Sequence, residues 1–99
     1  MTAITDDCTI KLISGHNQDY KELIVETPAT ADSDDTIVID LSNYDCSYLK
    51  SISGHIHSTS NSILIAEAPT TVVSSSSLTI TLGGSGADNQ IRVYNCVIA

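Results

Sequence analysis

The sequence predicts an all-β domain: a small antiparallel β-sandwich or partly open barrel of seven or eight strands, with an internal pseudo-twofold repeat. Three observations predict it. Ile, Leu and Val supply 26 of the 99 residues, while Phe and Trp are absent, so the core is built from branched aliphatics that suit a pleated sheet. Strict alternation marks Ile37, Ile39 and Leu41 against Thr36, Val38 and Asp40, and again Leu78, Ile80 and Leu82 against Ser77, Thr79 and Thr81. Those two segments lie 41 residues apart inside a longer self-similarity.

The elements follow in order. Period-two runs place strands at Thr9–Ile13, Glu22–Glu26, Thr36–Leu41, Tyr48–His57, Ser62–Glu67, Leu78–Leu82 and Gln90–Ile98, with Thr70–Val73 as a short eighth. Turn-forming residues separate them: Asn17-Gln18-Asp19, Pro28 to Asp35, Ser42-Asn43, Thr59-Ser60-Asn61, Ser74 to Ser77, and Gly83-Gly84-Ser85-Gly86. No stretch of ten residues holds a helical period. One domain spans 9–99, with repeat units at about 10–48 and 49–98. Residues 1–8 are polar, acidic and outside the repeat, and read as an N-terminal tail or arm.

The repeat runs without a gap from Leu23/Leu64 to Leu41/Leu82. Eight of its 19 positions are identical: Leu23/Leu64, Ile24/Ile65, Glu26/Glu67, Pro28/Pro69, Thr30/Thr71, Ser33/Ser74, Ile39/Ile80 and Leu41/Leu82. Upstream, Ile13-Ser14-Gly15-His16 returns as Ile52-Ser53-Gly54-His55 at an offset of 39, the difference falling in a loop that tolerates insertion. A partial third copy of an apolar-basic-x-apolar pattern joins Ile10-Lys11-Leu12-Ile13, Leu49-Lys50-Ser51-Ile52 and Ile91-Arg92-Val93-Tyr94.

Charge bounds the partners. Twelve acids against Lys11, Lys21, Lys50 and Arg92 give a net charge of −8. Four scattered cations make no basic face, which argues against nucleic acid and anionic membranes as partners. No run approaches the length of a membrane span, and the acidic start, Met1 to Asp7, lacks the apolar region of a signal peptide. Synthesis in a reducing cytoplasm is therefore expected. Three widely spaced cysteines, Cys8, Cys46 and Cys96, form no disulfide framework and no zinc pattern; buried free thiols are expected, with a Cys8–Cys96 bridge as the alternative.

The residues give no support for catalysis, and the reading is non-enzymatic, without cofactor or metal. His55 and His57 share a strand face, with His16 as the repeat counterpart of His55, yet no thiol or carboxylate stands at a matching spacing. Gly54-His55 recurs with Gly15-His16, which points to a structural role in a duplicated turn. Asp32-Ser33-Asp34-Asp35 opens like a calcium loop but lacks the following Gly and distal Glu, and reads as a solvated acidic turn. Gly83 to Gly86 reads as a hairpin turn, since no Lys or helix follows. Neither a nucleophile elbow nor a cationic neighbour for Cys46 is present.

The last strand is apolar on both faces, with Ile91, Val93 and Val97 on one and Tyr94, Cys96 and Ile98, beside Arg92, on the other. Such a strand is either central in its sheet or covered by a partner. The second option makes a candidate partner interface of Tyr94, Cys96 and Ile98 together with Thr2, Ile4, Asp6 and Asp7 of the N-terminal arm.

From Glu26-Thr27-Pro28-Ala29-Thr30 through Asp32 to Thr36, and from Glu67-Ala68-Pro69-Thr70-Thr71 to Leu78-Thr79-Ile80-Thr81, the chain resembles small β-rich virion proteins of tailed bacteriophages. The likeness covers roughly Leu23 to Leu82 and is one of style (Pro-Ala-Thr turns, Asp-rich loops, Thr/Ile strands). It implies a capsid decoration or cement protein on the virion surface, binding the major capsid protein or other virion proteins as a homo-oligomer, with a trimer as one form. It carries no set of functional residues. Head–tail, neck or tail placement is the alternative within that class. A carbohydrate- or cell-surface-binding β-sandwich is the alternative outside it, with Tyr44 and Tyr48 close enough to share a site.

Overall fold

The computed structural model describes residues 2–14, 20–57, 64–83 and 88–99. Eight strands follow one another: β1 (Thr9–Ser14), β2 (Lys21–Glu26), β3 (Thr36–Asp40), β4 (Leu49–His57), β5 (Leu64–Glu67), β6 (Thr70–Ser74), β7 (Ser77–Thr81) and β8 (Arg92–Ile98). They form a five-stranded sheet, β1-β2-β8-β4-β5, and a three-stranded sheet, β3-β7-β6, all antiparallel. The sheets pack face to face and neither closes, so the fold is an open sandwich rather than a barrel. Two 3₁₀ turns, Thr5–Asp7 and Leu41–Tyr44, are the helical segments among the described residues.

Alternation decides which side chains fill the core. Leu23 and Val25 of β2 and Tyr94, Cys96 and Ile98 of β8 project inward from the large sheet. Ile37 and Ile39 of β3 and Leu78 and Ile80 of β7 meet them from the small one, with Leu41 and Leu82 just beyond the strand ends. Fully burying one such aliphatic side chain contributes about 1.5–3 kcal/mol, so the interleaved set is the main source of stability. Gly54 lies inside β4 opposite Tyr94, not in a turn. A β-carbon there would sit 2.6 Å from the Tyr94 ring, so the missing side chain is the space the ring occupies. Its repeat counterpart Gly15, with His16, lies outside the described residues, as do the predicted turns at Asn17 to Asp19 and Thr59 to Asn61 and the predicted strand start at Ser62.

The repeat is visible in the register of the small sheet. Ile37 pairs with Ile80 and Ile39 with Leu78. Adding the 41-residue offset converts each pair into the other, which is what a local twofold axis between β3 and β7 requires. The left-handed backbone at Asp34 (φ 73°) also recurs 41 residues on, at Ser75 (φ 51°). The large sheet breaks the symmetry. Its second hairpin lies with β4 against β8 and β5 at the edge, whereas in the first it is β2 that meets β8. The faces exchange as well: Glu26 is exposed, and its counterpart Glu67 is buried. The segment after Pro69 becomes β6, tied to β7 through Ser75 and Ser76, both at positive φ. The matching segment after Pro28 stays a loop.

Three further expectations change. Gly83 ends no hairpin: β7 and β8 lie in different sheets, so the glycine-rich segment carries the chain between them. Residues 84–86 of that run lie outside the described residues. The Ser42-Asn43 turn is the 3₁₀ turn Leu41–Tyr44, capped by Asp40, whose Oδ1 accepts from the Ser42 backbone N–H at 3.0 Å. The N-terminal residues form neither a free tail nor an arm reaching outward. They lie along the edge of β3, where Thr36 N–H donates to Thr2 O at 2.8 Å and Ile4 N–H to Thr36 O at 2.9 Å. Thr5 Oγ1 accepts from Val38 N–H at 2.8 Å, and the Ile4 side chain enters the core.

Replacing Gly54 by Ala is expected to destabilise the fold by about 1–3 kcal/mol, because the Tyr94 ring, buried and held at its hydroxyl, has little room to move. Urea unfolding of the two proteins measures the difference. Replacing Ser75-Ser76 by Asn-Gly should raise stability in the same urea assay by about 1 kcal/mol, since both positions adopt the left-handed backbone that Asn and Gly tolerate.

Candidate interaction surface

The start of β8 brings a cation into the interior. Arg92 is fully buried and on the inward face shared with Tyr94, Cys96 and Ile98. Its guanidinium donates from Nη1 to Ala31 O (3.1 Å) and Gln90 O (3.3 Å), and from Nη2 to Gly83 O (2.9 Å). Its backbone N–H and C=O are both taken by Thr27, through Oγ1 at 2.8 Å and N–H at 2.9 Å. Glu67 of β5 completes the group: Oε1 accepts from Gly83 N–H at 2.8 Å and Oε2 from the Tyr94 hydroxyl. Gly83 is thus held at both ends of its residue, and a β-carbon on it would lie 2.3 Å from Glu67 Oε1. This cluster binds the loops to the sheet. Its polar contacts tie Ala31, Gln90, Gly83 and Thr27 to the sheet, so it reads as structural.

The acidic loop is part of the same construction and is not simply a solvated turn. Asp35 is buried and accepts from Asp32 N–H at 2.9 Å. Asp32 Oδ1 accepts from Asn89 N–H (2.9 Å), and Asp88 Oδ1 accepts from Ser33 N–H (3.3 Å), so the two loops are cross-tied through their carboxylates.

The candidate partner residues divide. Thr2, Asp6 and Asp7 are exposed. Tyr94, Cys96 and Ile98 have no accessible surface, and Ile4 has almost none, so these four cannot meet a partner while the domain is folded. The apolar character of β8 has the other origin: it is the central strand of five, with β2 and β4 on its sides. The thiols are free. Burial pushes Cys96 up to about 11, and burial with the adjacent Asp7 carboxylate pushes Cys8 up to about 11. Burial and the bond to Glu67 also raise the Tyr94 phenol far above its ordinary value, with Arg92 opposing. His55 is exposed and pairs with Val93 and Ala66, and no group of three metal-ligating side chains occurs among the described residues.

The exposed feature that stands out is at one end of the five-stranded sheet, where β1 and β8 end and β2 and β4 begin. Lys50 sits in a bulge between the paired residues Leu49 and Ser51, and a bulge re-aims its side chain. Its ammonium lies 5.4 Å from the Tyr20 ring centre and 5.8 Å from that of Tyr48. Such contacts contribute roughly 0.5–1 kcal/mol each at an exposed site and set the two rings about a common charge. Tyr20 and Tyr48 are each about half exposed, at 49% and 46%, as are Leu12 and the bulged Ile13 at the same end of β1. Tyr44 is less exposed than Tyr48. It packs against the core, and its carbonyl accepts from Lys21 Nζ at 2.5 Å. The opposite end of the sheet carries Glu26, Asp32, Asp34 and Asp88.

Both features escape a reading of the sequence. The acceptors of Arg92 are main-chain carbonyls, which leave no mark in residue type. The Tyr20–Lys50–Tyr48 group depends on a bulge and on which hairpins flank β8. The one available signal is the shared apolar-basic-x-apolar pattern containing Lys50 and Arg92, but the fold sends those two cations to opposite environments. No family model, curated protein or solved structure matches the chain.

Glu67→Ala should cost about 2–4 kcal/mol in a urea melt, since it leaves the Tyr94 hydroxyl and the Gly83 N–H buried without their acceptors. The pH dependence has a defined sign. Cys8 and Cys96 hold their protons more tightly in the folded state than at the ordinary thiol value of 9.0. Their contribution is fully present below about pH 9 and is lost as pH rises through about 11. Thiolate absorbance should therefore appear near pH 11 for these two residues in the native protein and near pH 9 in urea.

Proposed function

We propose that this chain is a non-enzymatic virion structural protein that decorates a phage capsid, binding the major capsid protein at the virion surface. One observation carries the reading: the division of its surface between the two ends of the large sheet. One end presents Tyr20 and Tyr48 about Lys50, with Leu12 and Ile13 exposed at the same end of the sheet on β1. The other is acidic, within a chain of net charge −8. Exposed aromatic and aliphatic side chains beside a cation suit a protein contact, since aromatic residues anchor interfaces. An acidic outer end suits a particle that must not adhere to its neighbours. The core is filled by the chain's own side chains, so docking requires no refolding. Head–tail, neck or tail attachment uses the same surface with a different partner.

The Tyr20–Tyr48 pair also favours a second reading, a carbohydrate- or cell-surface-binding module. Two exposed rings can stack on sugar faces while Lys50 donates to a hydroxyl or carboxylate.

Quantitative mass spectrometry of purified particles separates these readings. Hundreds of copies in simple ratio to the shell are expected for a decoration protein. A dozen or fewer moves the chain to the neck or tail, and none leaves the glycan-binding module, tested on a glycan array. Joint replacement of Tyr20 and Tyr48 by Ala should abolish particle binding while lowering the unfolding free energy in urea by no more than about 1–2 kcal/mol, the sum of the two ring–ammonium contacts.

A further inference from the structure

The sandwich has four sheet edges, and an unprotected edge strand is a template for pairing with another chain. Three of the four carry a recognised safeguard. β1 has Lys11 and the bulge at Ile13. β5 is four residues long and ends in a glutamate. β3 is overlaid by the chain's own N-terminal residues, bonded at Thr36 and Val38. Among the described residues β6 has none of these. Thr70-Thr71-Val72-Val73-Ser74 contains no charge, no proline and no bulge, and is composed of residues favoured in strands. Val72, at its centre, is the most exposed of the large hydrophobic residues among those described, at 63%.

We propose that two copies of this chain associate edge to edge through β6, antiparallel about a twofold axis at Val72, joining two three-stranded sheets into one of six strands. This inference stands apart from the capsid reading. The hairpin geometry supplies the bonds. Ser75 and Ser76 form a two-residue turn with both φ positive, so Ser74–Ser77 closes it as a hydrogen-bonded pair. Bonding alternates from there, which turns the N–H and C=O of Thr71 and Val73 away from β7. About the twofold axis, Thr71 of each copy meets Val73 of the other, and the four amides and carbonyls that face outward are satisfied. Thr70 meets Ser74, a hydroxyl pair, and Val72 meets its own image at the close spacing of a non-hydrogen-bonded pair.

Charge permits this contact in a protein that otherwise repels itself. On the outer face of the small sheet the rows are Thr36–Thr81–Thr70, Val38–Thr79–Val72 and Asp40–Ser77–Ser74. Asp40 is their one ionisable group, and it lies on β3, two strands from the contact. Across the six-stranded sheet the two Asp40 strands are separated by five spacings, about 24 Å. That is roughly three screening lengths at physiological salt, so their repulsion is negligible.

Sedimentation equilibrium of the full chain, from micromolar to millimolar concentration, tests the proposal. The wild type should show a monomer–dimer equilibrium. Val72→Lys and Val72→Glu, each confirmed as folded by circular dichroism, should each weaken it by about tenfold or more, since like charges would face each other at the axis. An equimolar mixture of the two variants should associate again, because residue 72 then meets its opposite charge. A wild type that stays monomeric overturns the proposal; this is also the outcome if β6 serves a strand from a different protein. Association that survives Val72→Lys unchanged, or a mixture that fails to regain it, overturns it equally.

Discussion

A buried guanidinium sits where the two sheets and the connecting loops converge, and the architecture depends on it. Removing Arg92 from water costs several kcal/mol. Three carbonyl acceptors, each worth about 1.5–3 kcal/mol to a charged donor, help to offset that cost when Ala31, Gln90 and Gly83 are held in place. The requirement runs both ways. The loop after β2, the segment before β8 and the residue beyond β7 converge because one planar donor group demands it, and Thr27 fixes the backbone of that same residue. Glu67 and Tyr94 extend the constraint to β5 and, through the ring, to Gly54 of β4. A hydrophobic interior of aliphatic side chains would hold the sheets together. The polar cluster fixes how the loops are seated on them.

Much of this architecture was legible from residue order. Each of the eight strands lies within a residue or two of where period-two alternation places it, because alternation is a local property of a half-buried strand. What was not legible is non-local. The glycine-rich run after Leu82 has the composition of a hairpin, yet it joins different sheets, since turn chemistry reports a change of direction and not the neighbour reached. The two apolar faces of β8 admitted a central strand or a covered one, and only strand order decides between them. The N-terminal residues looked detached because Thr2, Asp6 and Asp7 are polar, but a strand edge is capped through backbone groups, which every residue type provides. The surface group at Tyr20, Lys50 and Tyr48 was hidden for the same reason: its members come from separate hairpins brought together by β8.

The duplication shows how one segment serves two environments. The offset that superposes β3 on β7 preserves the inward face of both, so the small sheet carries the local twofold symmetry. The same offset sends Glu26 outward and Glu67 inward, because the second hairpin lies the other way about beside β8. A one-residue exchange of faces is a large change for a strand, and a glutamate can survive it only with partners. The Tyr94 hydroxyl and the Gly83 amide are those partners. The segments after the two prolines differ in the same way. One is a loop whose carboxylates tie it to the segment before β8, and the other is a strand.

The position of β8 has a consequence for how the chain reaches this state. The central strand of the large sheet comes after the other seven strands in the sequence, and Leu23 must wait for Cys96 to find its partner. During synthesis, the β1–β2 and β4–β5 hairpins can form early from local contacts, yet each then shows a bare inner edge toward a gap. Sequence separation of this size places the chain among slow-folding topologies, in which loop-closure entropy is lost before the contacts that reward it exist. The interval before β8 arrives is the time of greatest exposure to aggregation, and truncation or ribosome stalling ahead of Arg92 would leave two hairpins with nothing to join them.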